Sequence, residues 1–398
     1  MIPRKHYLWS CLLPGIGLHQ SAEIVREPKP STMSIKRILT FSIFSLVLTA
    51  ALWQCRTGPA ARAVQFDPAA VPYPRLSDYA FFRSLNKDGA EPNTGLLPYE
   101  LITPLFTDYA HKARYVWMPD SVQATVDPEG RLVFPDHTVL IKTFYYPADF
   151  RQPEQDWDLV ETRLLMKLDG KWDAYTYVWD ESDSEAALNL VGDFKQIAWT
   201  DEQGSARTVE YAVPNKNQCK SCHNQSKVLL PIGPKVRNIN ASHTYPDGTT
   251  ANQVEHWQAT GKLAAGDWAA KFAPLADWDD PESGTVARRA IAYLEVNCGH
   301  CHHPQGPAYT TGLYLGTDFL DRPAHLGICK SPVAAGKGSG GRQFGIHPGQ
   351  PDRSILVYRM EANDPGVMMP EIGRAVAHEE GVALVREWIE GLEGGCGK

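Results

Sequence analysis

LVETRLLMKLDGKWDAYTYVW, residues 159–179, reads as two strands joined by a two-residue turn. Leu159 to Leu168 carries the β-branched and large apolar residues that fit a pleated surface, and Trp172 to Trp179 intermixes polar and aromatic ones. Asp169-Gly170 between them supplies the positive-φ pair that a tight hairpin requires. Just upstream, TVLIKTFYY from Thr138 has the same strand character. The pattern extends from about Val64 to Val213, so a β-rich domain is expected over residues 64–215, ending near Pro214-Asn215.

After Asn215 the character changes to loops and short helices. A helix is predicted from about Thr285 to Asn297, with Val286, Ala290, Tyr293 and Leu294 along one face. A last helix is predicted from about Glu379 to Leu392, with Val382, Val385, Ile389 and Leu392 in a stripe. Roughly eighty residues of mostly loop separate the two, far more than an ordinary connection, so something besides secondary structure must organise that stretch.

The chain has 398 residues, 43% of them hydrophobic and 21% charged, which is a globular composition with room for two or three cores. Its 30 prolines and 32 glycines follow no period, which excludes collagen and repeat arrays and predicts long irregular connections. Met33-Ser-Ile-Lys-Arg followed by an apolar run from Thr40 to Trp53 has signal-peptide form and is too short to span a bilayer comfortably. Translation is therefore expected to start at Met33, with residues 1–32 an upstream extension and 33–63 the signal region. Two cleavage sites compete: Ala61-Arg62-Ala63 suits an ordinary signal peptidase, and Leu52-Trp53-Gln54-Cys55 resembles a lipobox whose Cys55 would carry a membrane-anchoring lipid. Either way the expected location is periplasmic, soluble or lipid-anchored. Without residues 1–63 the chain bears 31 basic against 44 acidic residues, a net charge of −13, which argues against nucleic acid as a partner.

Four of the eight cysteines form two C-x-x-C-H motifs, Cys219-Lys-Ser-Cys222-His223 and Cys298-Gly-His-Cys301-His302, the attachment signature of c-type haem. Two thiols one turn apart can reach the two vinyl groups of one porphyrin, and the next residue sets an imidazole beneath the iron. A zinc site built from both C-x-x-C pairs needs only the four thiolates and leaves His223 and His302 unexplained. A thioredoxin-like redox pair requires a βαβ setting that the pattern lacks. Two covalent haems are therefore expected, on Cys219, Cys222 and His223 and on Cys298, Cys301 and His302. Cys329 and Cys396 are expected to pair in an oxidising compartment, with two free buried thiols the alternative.

A thioether ligand raises a haem's reduction potential. Met368-Met369-Pro370 stands just before the last helix, as in small class I cytochrome c domains, and Met369 is the candidate sixth ligand of the second iron, ahead of Met368. No methionine lies between His223 and His302, so the first iron is left with His243 or His256, a distant Met118, Met166 or Met360, or an open position. Gly336 to Gly341 does not match a phosphate-binding spacing, and His378-Glu379-Glu380 lacks the second histidine of a zinc protease.

The chain resembles a family of bacterial exported dihaem c-type cytochromes that join a long N-terminal region to a cytochrome c portion. The resemblance covers most of the mature chain and is carried by PYELITPLFTDYAHKARYV from Pro98, TVLIKTFYY from Thr138, VPNKNQCKSCH ending at His223 and PIGPKVRNIN from Pro231. It continues through NCGHCHHPQGPA from Asn297, CKSPVAAGKGSGG from Cys329, PGQPDRSILVYRM from Pro348, MMPEIGR from Met368 and HEEGV from His378. It implies two c-type haems and a methionine ligand from the MMP segment; it implies no substrate.

The expected fold class is α+β: a β-rich N-terminal domain, a first haem-binding segment over 216–280, and a mainly α-helical, loop-rich class I cytochrome c-like portion with the second haem over 281–398. The expected function is electron transfer to or from redox partner proteins of the bacterial envelope. The alternative is a haem enzyme, peroxidase-like or a small-molecule oxidoreductase, with an open first haem; a zinc-stabilised binding module is the remaining class.

Overall fold

The hairpin at Asp169-Gly170 forms as its residues require: β8 (Trp157–Leu168) and β9 (Lys171–Trp179) pair with Leu168 opposite Lys171, and both turn residues have positive φ. In this computed structural model, which describes residues 62–397, the two strands sit inside a six-stranded antiparallel sheet. Its other members are β3 (Leu96–Pro98), β4 (His111–Trp117), β7 (Val139–Pro147) and β10 (Ala186–Asn189), in the order β10-β9-β8-β7-β4-β3. The expected upstream extension, the signal region apart from its last two residues, and Cys55 lie outside the described residues. Residues from Ala60 onward gather into one compact unit.

The two faces of the sheet differ. On one, Val139, Ile141, Leu164, Met166 and Tyr177 pack into an apolar core under the N-terminal segment. On the other, Leu140 and Leu165 join a second core that Val254, Trp257 and Leu263 complete. Further along the same face, Phe144 and Tyr146 meet Trp199 and Tyr211 of the hairpin β11 (Asp193–Thr200) and β12 (Ala206–Val213). Between these apolar ends the face carries Arg114, Lys142 and Arg163, which are direct cross-strand partners.

The chain then lays short elements over that face. Asn215 caps α1 (Lys216–Cys222), accepting hydrogen bonds from the amides of Asn217 and Gln218, and α1 packs on β9. Next come α2 (Val236–Ile239), α3 (Gln253–Ala259) and α4 (Trp268–Lys271). Thr285 caps α5 (Val286–Asn297), which packs with α6 (Ile355–Glu361) and α7 (Glu379–Glu390) around Leu294, Val357, Val385 and Ile389. Burying each such side chain contributes roughly 1.5–3 kcal/mol, which is what holds these helices in place.

The expectation of a mainly α-helical cytochrome c portion is overturned. The protein is β-rich, with 28% strand against 22% helix, its α-helices numbering seven among the described residues, and no mainly α-helical cytochrome c domain is evident. Beyond residue 280 the three α-helices are 12, 7 and 12 residues long. The physical reason lies in the segment between α5 and α6, where the chain turns on glycines such as Gly312, Gly327 and Gly340, each at positive φ. Isolated bridges, Ile328 to Ile346 and Phe344 to Ser354, and a Cys329–Cys396 disulfide with a Cα separation of 5.1 Å hold it instead. Among the described residues no helix is long and apolar enough to cross a membrane.

Candidate functional site

The first motif occupies the end of α1. Cys219 and Cys222 lie one turn apart, and the His223 amide closes the helix by donating to the Cys219 carbonyl at 3.0 Å. His223 places Nδ1 3.0 Å from the Leu230 carbonyl, which leaves Nε2 as the coordinating atom once Nδ1 donates there. Burial holds this imidazole down to about 3, so it is neutral at physiological pH, the state a metal ligand needs. Beside it is a cavity of about 200 Å³, with Cys219, Cys222 and His223 on one side and Arg114, Lys142 and Arg163 of the sheet on another.

The second motif follows α5 as a further turn: the amides of Cys301 and His302 both donate to the Cys298 carbonyl, at 3.0 and 2.9 Å. Gly299 is required there, because a Cβ would run into the carbonyls of Glu295 and Leu315. His302 has a buried Nδ1 with no hydrogen-bond partner, and burial, with His300 and Arg359 adding to it, lowers the ring to about 4. Its cavity, about 430 Å³, is larger and lined mostly by apolar side chains, among them Leu313, Leu326 and Ile355.

Met369 lines this second cavity with Cys298, Cys301 and His302; Met368 is buried and does not. The Met369 amide donates to the Arg359 carbonyl at 2.9 Å, and its carbonyl accepts from Arg374 Nε at 3.1 Å. Arg374, itself buried, also donates to the carbonyls of Arg359, Met360 and Ala362, so one guanidinium fixes the loop that presents the thioether. Arg374 closes the MMPEIGR segment, but no sequence pattern marked it as the residue that holds this loop.

Of the residues considered for the first iron, His243 lies edge-on to Tyr245 and His256 stacks on the same ring at 3.7 Å; neither lines the first cavity. Met118 is buried in the core with Trp257, Met166 lies on the opposite face of the sheet, and Met360 borders the second cavity. His300 does line the first cavity, and the second as well. Sequence reading missed it because it occupies a variable position inside the second motif. Its Nδ1 faces the Val296 carbonyl at 3.4 Å.

The two motifs touch. The Cys301 thiol, with His300 assisting, draws Cys222 below the ordinary thiol range, and Cys222 together with burial pushes Cys301 above it. Among the described residues no three His, Cys, Asp or Glu side chains are gathered as a metal ion would need. The donor set fits two c-type haems better: each motif pairs thiols one turn apart with a neutral imidazole facing its own cavity. No family model, curated protein or solved structure matches this chain.

Proposed function

We propose that this protein is an exported dihaem c-type cytochrome of the bacterial envelope that carries electrons between redox partner proteins. The observation that carries the reading is that both C-x-x-C-H motifs border cavities of their own, which meet at Cys222, His300, Pro370 and Ile372. When bound, each c-type haem would supply a one-electron iron couple. Cys219 and Cys222 would tether the first and His223 would ligate it, with His300 as the candidate for its sixth position. Cys298 and Cys301 would tether the second, with His302 and Met369 as ligands. The chain's own work is to fix those ligands: Leu230 orients His223, and Arg374 holds the Met369 loop. The second cavity surrounds Met369 with mostly apolar side chains.

A second reading, a haem enzyme, is favoured by one observation. A cleft of about 750 Å³, lined by His111, Lys112, Tyr109 and His378, adjoins the first cavity and shares Arg114 and Phe106 with it. An open first iron would place a substrate there.

The deciding experiment is a pyridine haemochrome count on the purified protein, then a dithionite-reduced optical spectrum with and without carbon monoxide. Two haems per chain, both unchanged by carbon monoxide, is the result expected of a carrier. Carbon monoxide binding by about half the haem would favour the enzyme, and zinc in place of iron would sink both.

A further inference from the structure

The sheet face beneath the first motif holds more positive charge than the protein neutralises. Arg114, Lys142 and Arg163 stand side by side across β4, β7 and β8, all three facing the first cavity. Lys112, two residues before Arg114 on β4, lines the neighbouring cleft, and burial, with the nearby cations adding to it, pulls it well below the ordinary lysine range. Like charges directly opposite one another destabilise a sheet, so such a row needs a counter-charge.

The protein provides only part of it. Glu100 bonds Arg114 at 3.2 Å, and the fully buried Glu161 bonds Arg163 Nε at 2.8 Å while accepting from the Tyr211 hydroxyl. The ammonium groups of Lys142 and Lys112 have no hydrogen bond or ion pair among the described residues; they lie 5.0 and 5.9 Å from the Phe144 ring, which Arg163 also covers at 4.2 Å. Burial first, then the neighbouring arginines, pulls Lys142 down to about 7. The other charged groups nearby are committed: Asp108 accepts from the amides of Ala375 and Val376, and Glu295 pairs with Lys235 and Arg237. In the first cavity three cations meet two carboxylates, which leaves Lys142 without a counter-charge. A haem propionate is a carboxylate that could supply it.

We propose that Arg114, Lys142 and Arg163 form the carboxylate-binding wall of the first haem site, with Lys142 receiving a propionate of the group tethered at Cys219 and Cys222. This rests on reading the first motif as a haem tether. The tether reaches the cavity from α1 on β9, and the cations reach it from β4, β7 and β8, so the sheet itself sets the span between the vinyl and the propionate edges. The β-rich region thereby becomes half of a haem site.

The test uses the full holoprotein with Lys142→Gln and Lys142→Arg, compared by optical redox titration and resonance Raman spectroscopy, after the haemochrome count. Removing a cation favours the ferric state, so in Lys142→Gln the potential of one haem is expected to fall, about tenfold in the oxidised-to-reduced ratio or ~59 mV, while the other stays put. Part of the propionate bending band is expected to move, and Lys142→Arg to restore both signals. Lys142→Met, which keeps the stem against Phe144, serves if the glutamine variant fails to fold. Unchanged potentials, an equal fall at both haems, or a fall with no change in the propionate band would overturn the proposal. So would a wild-type potential that responds to added inorganic sulfate at constant ionic strength, since the row would then be open to solution anions. A wild-type count below two haems removes the haem reading itself, a failure distinct from these.

Discussion

The same five-residue pattern is set in two unlike surroundings. The first C-x-x-C-H ends a seven-residue helix laid against a cationic sheet face; the second follows a 12-residue helix and opens on a cavity walled by leucine, isoleucine and a methionine. A motif specifies attachment and one ligand. What an iron held there would do depends on the wall opposite, and the two walls come from different parts of the chain. The first site takes its cationic wall from strands far apart in sequence; the second is built mostly by the long segment between α5 and α6, with Met369 from the loop after α6.

The sharpest way to break this contrast is at the methionines. Met369→Ala is expected to lower the potential of one haem by a sizeable part of the ~0.8 V range that axial ligands span, and to make about half the reduced haem reactive to carbon monoxide. Met368→Ala, one residue away, is expected to leave the optical spectrum alone and to cost about 2–5 kcal/mol of stability, as for other buried large-to-small changes. Redox titration and thermal unfolding check the pair; if Met368→Ala opens the haem instead, the placement of Met369 is wrong. His300→Ala sharpens the comparison from the other side. It is expected to open the first haem to carbon monoxide without moving the potential of the second.

How much of this was legible beforehand follows from how local each signal is. The Asp169-Gly170 hairpin, the helix from about Thr285 to Asn297 and the last helix are written in adjacent residues, and each stands where the pattern put it. The cationic row was not legible, since Arg114, Lys142 and Arg163 meet only through strand register. A trace existed nonetheless: Lys142 interrupts TVLIKTFYY and Arg163 interrupts VETRLLM, charges in the middle of strands that are otherwise buried. The helical C-terminal portion failed as an expectation because two good helices were extended into a domain. The loops between them are held by a disulfide and isolated bridges, which leave no periodicity to read.

The loop-built second site should depend on its covalent tie more than the sheet-built first one. The Cys329–Cys396 disulfide closes a separation of 67 residues that includes α6, the Met369 loop and α7. Closing a loop of that size restricts the unfolded chain by an amount worth ~4 kcal/mol in the chain-entropy estimate. The double variant Cys329→Ala/Cys396→Ala is therefore expected to lose about 2–4 kcal/mol in denaturant unfolding. Carbon monoxide reactivity, if it appears, should appear at the methionine-ligated haem.

A smaller effect is expected where the two regions are joined. Glu295, near the end of α5, accepts from Lys235 and pairs with Arg237, the residues flanking the start of α2, and it also binds Thr317. Its side chain is 8% exposed, and although burial alone would raise it, Lys235, Thr317 and Arg237 together hold the carboxyl down to about 2 from its ordinary 4.5. A carboxylate whose folded value is depressed contributes stability that is present above its unfolded value and is lost as pH falls through the folded one. The clamp should therefore contribute fully above pH ~4.5, weaken between there and pH ~2, and amount to about 3 kcal/mol at neutral pH. Glu295→Gln is expected to remove most of that at pH 7 and to flatten the acid limb of the stability curve, read by denaturant unfolding from pH 3 to 7. If the variant's curve runs parallel to the wild type's, Glu295 does not carry the acid dependence, and the two sites are held together by packing alone.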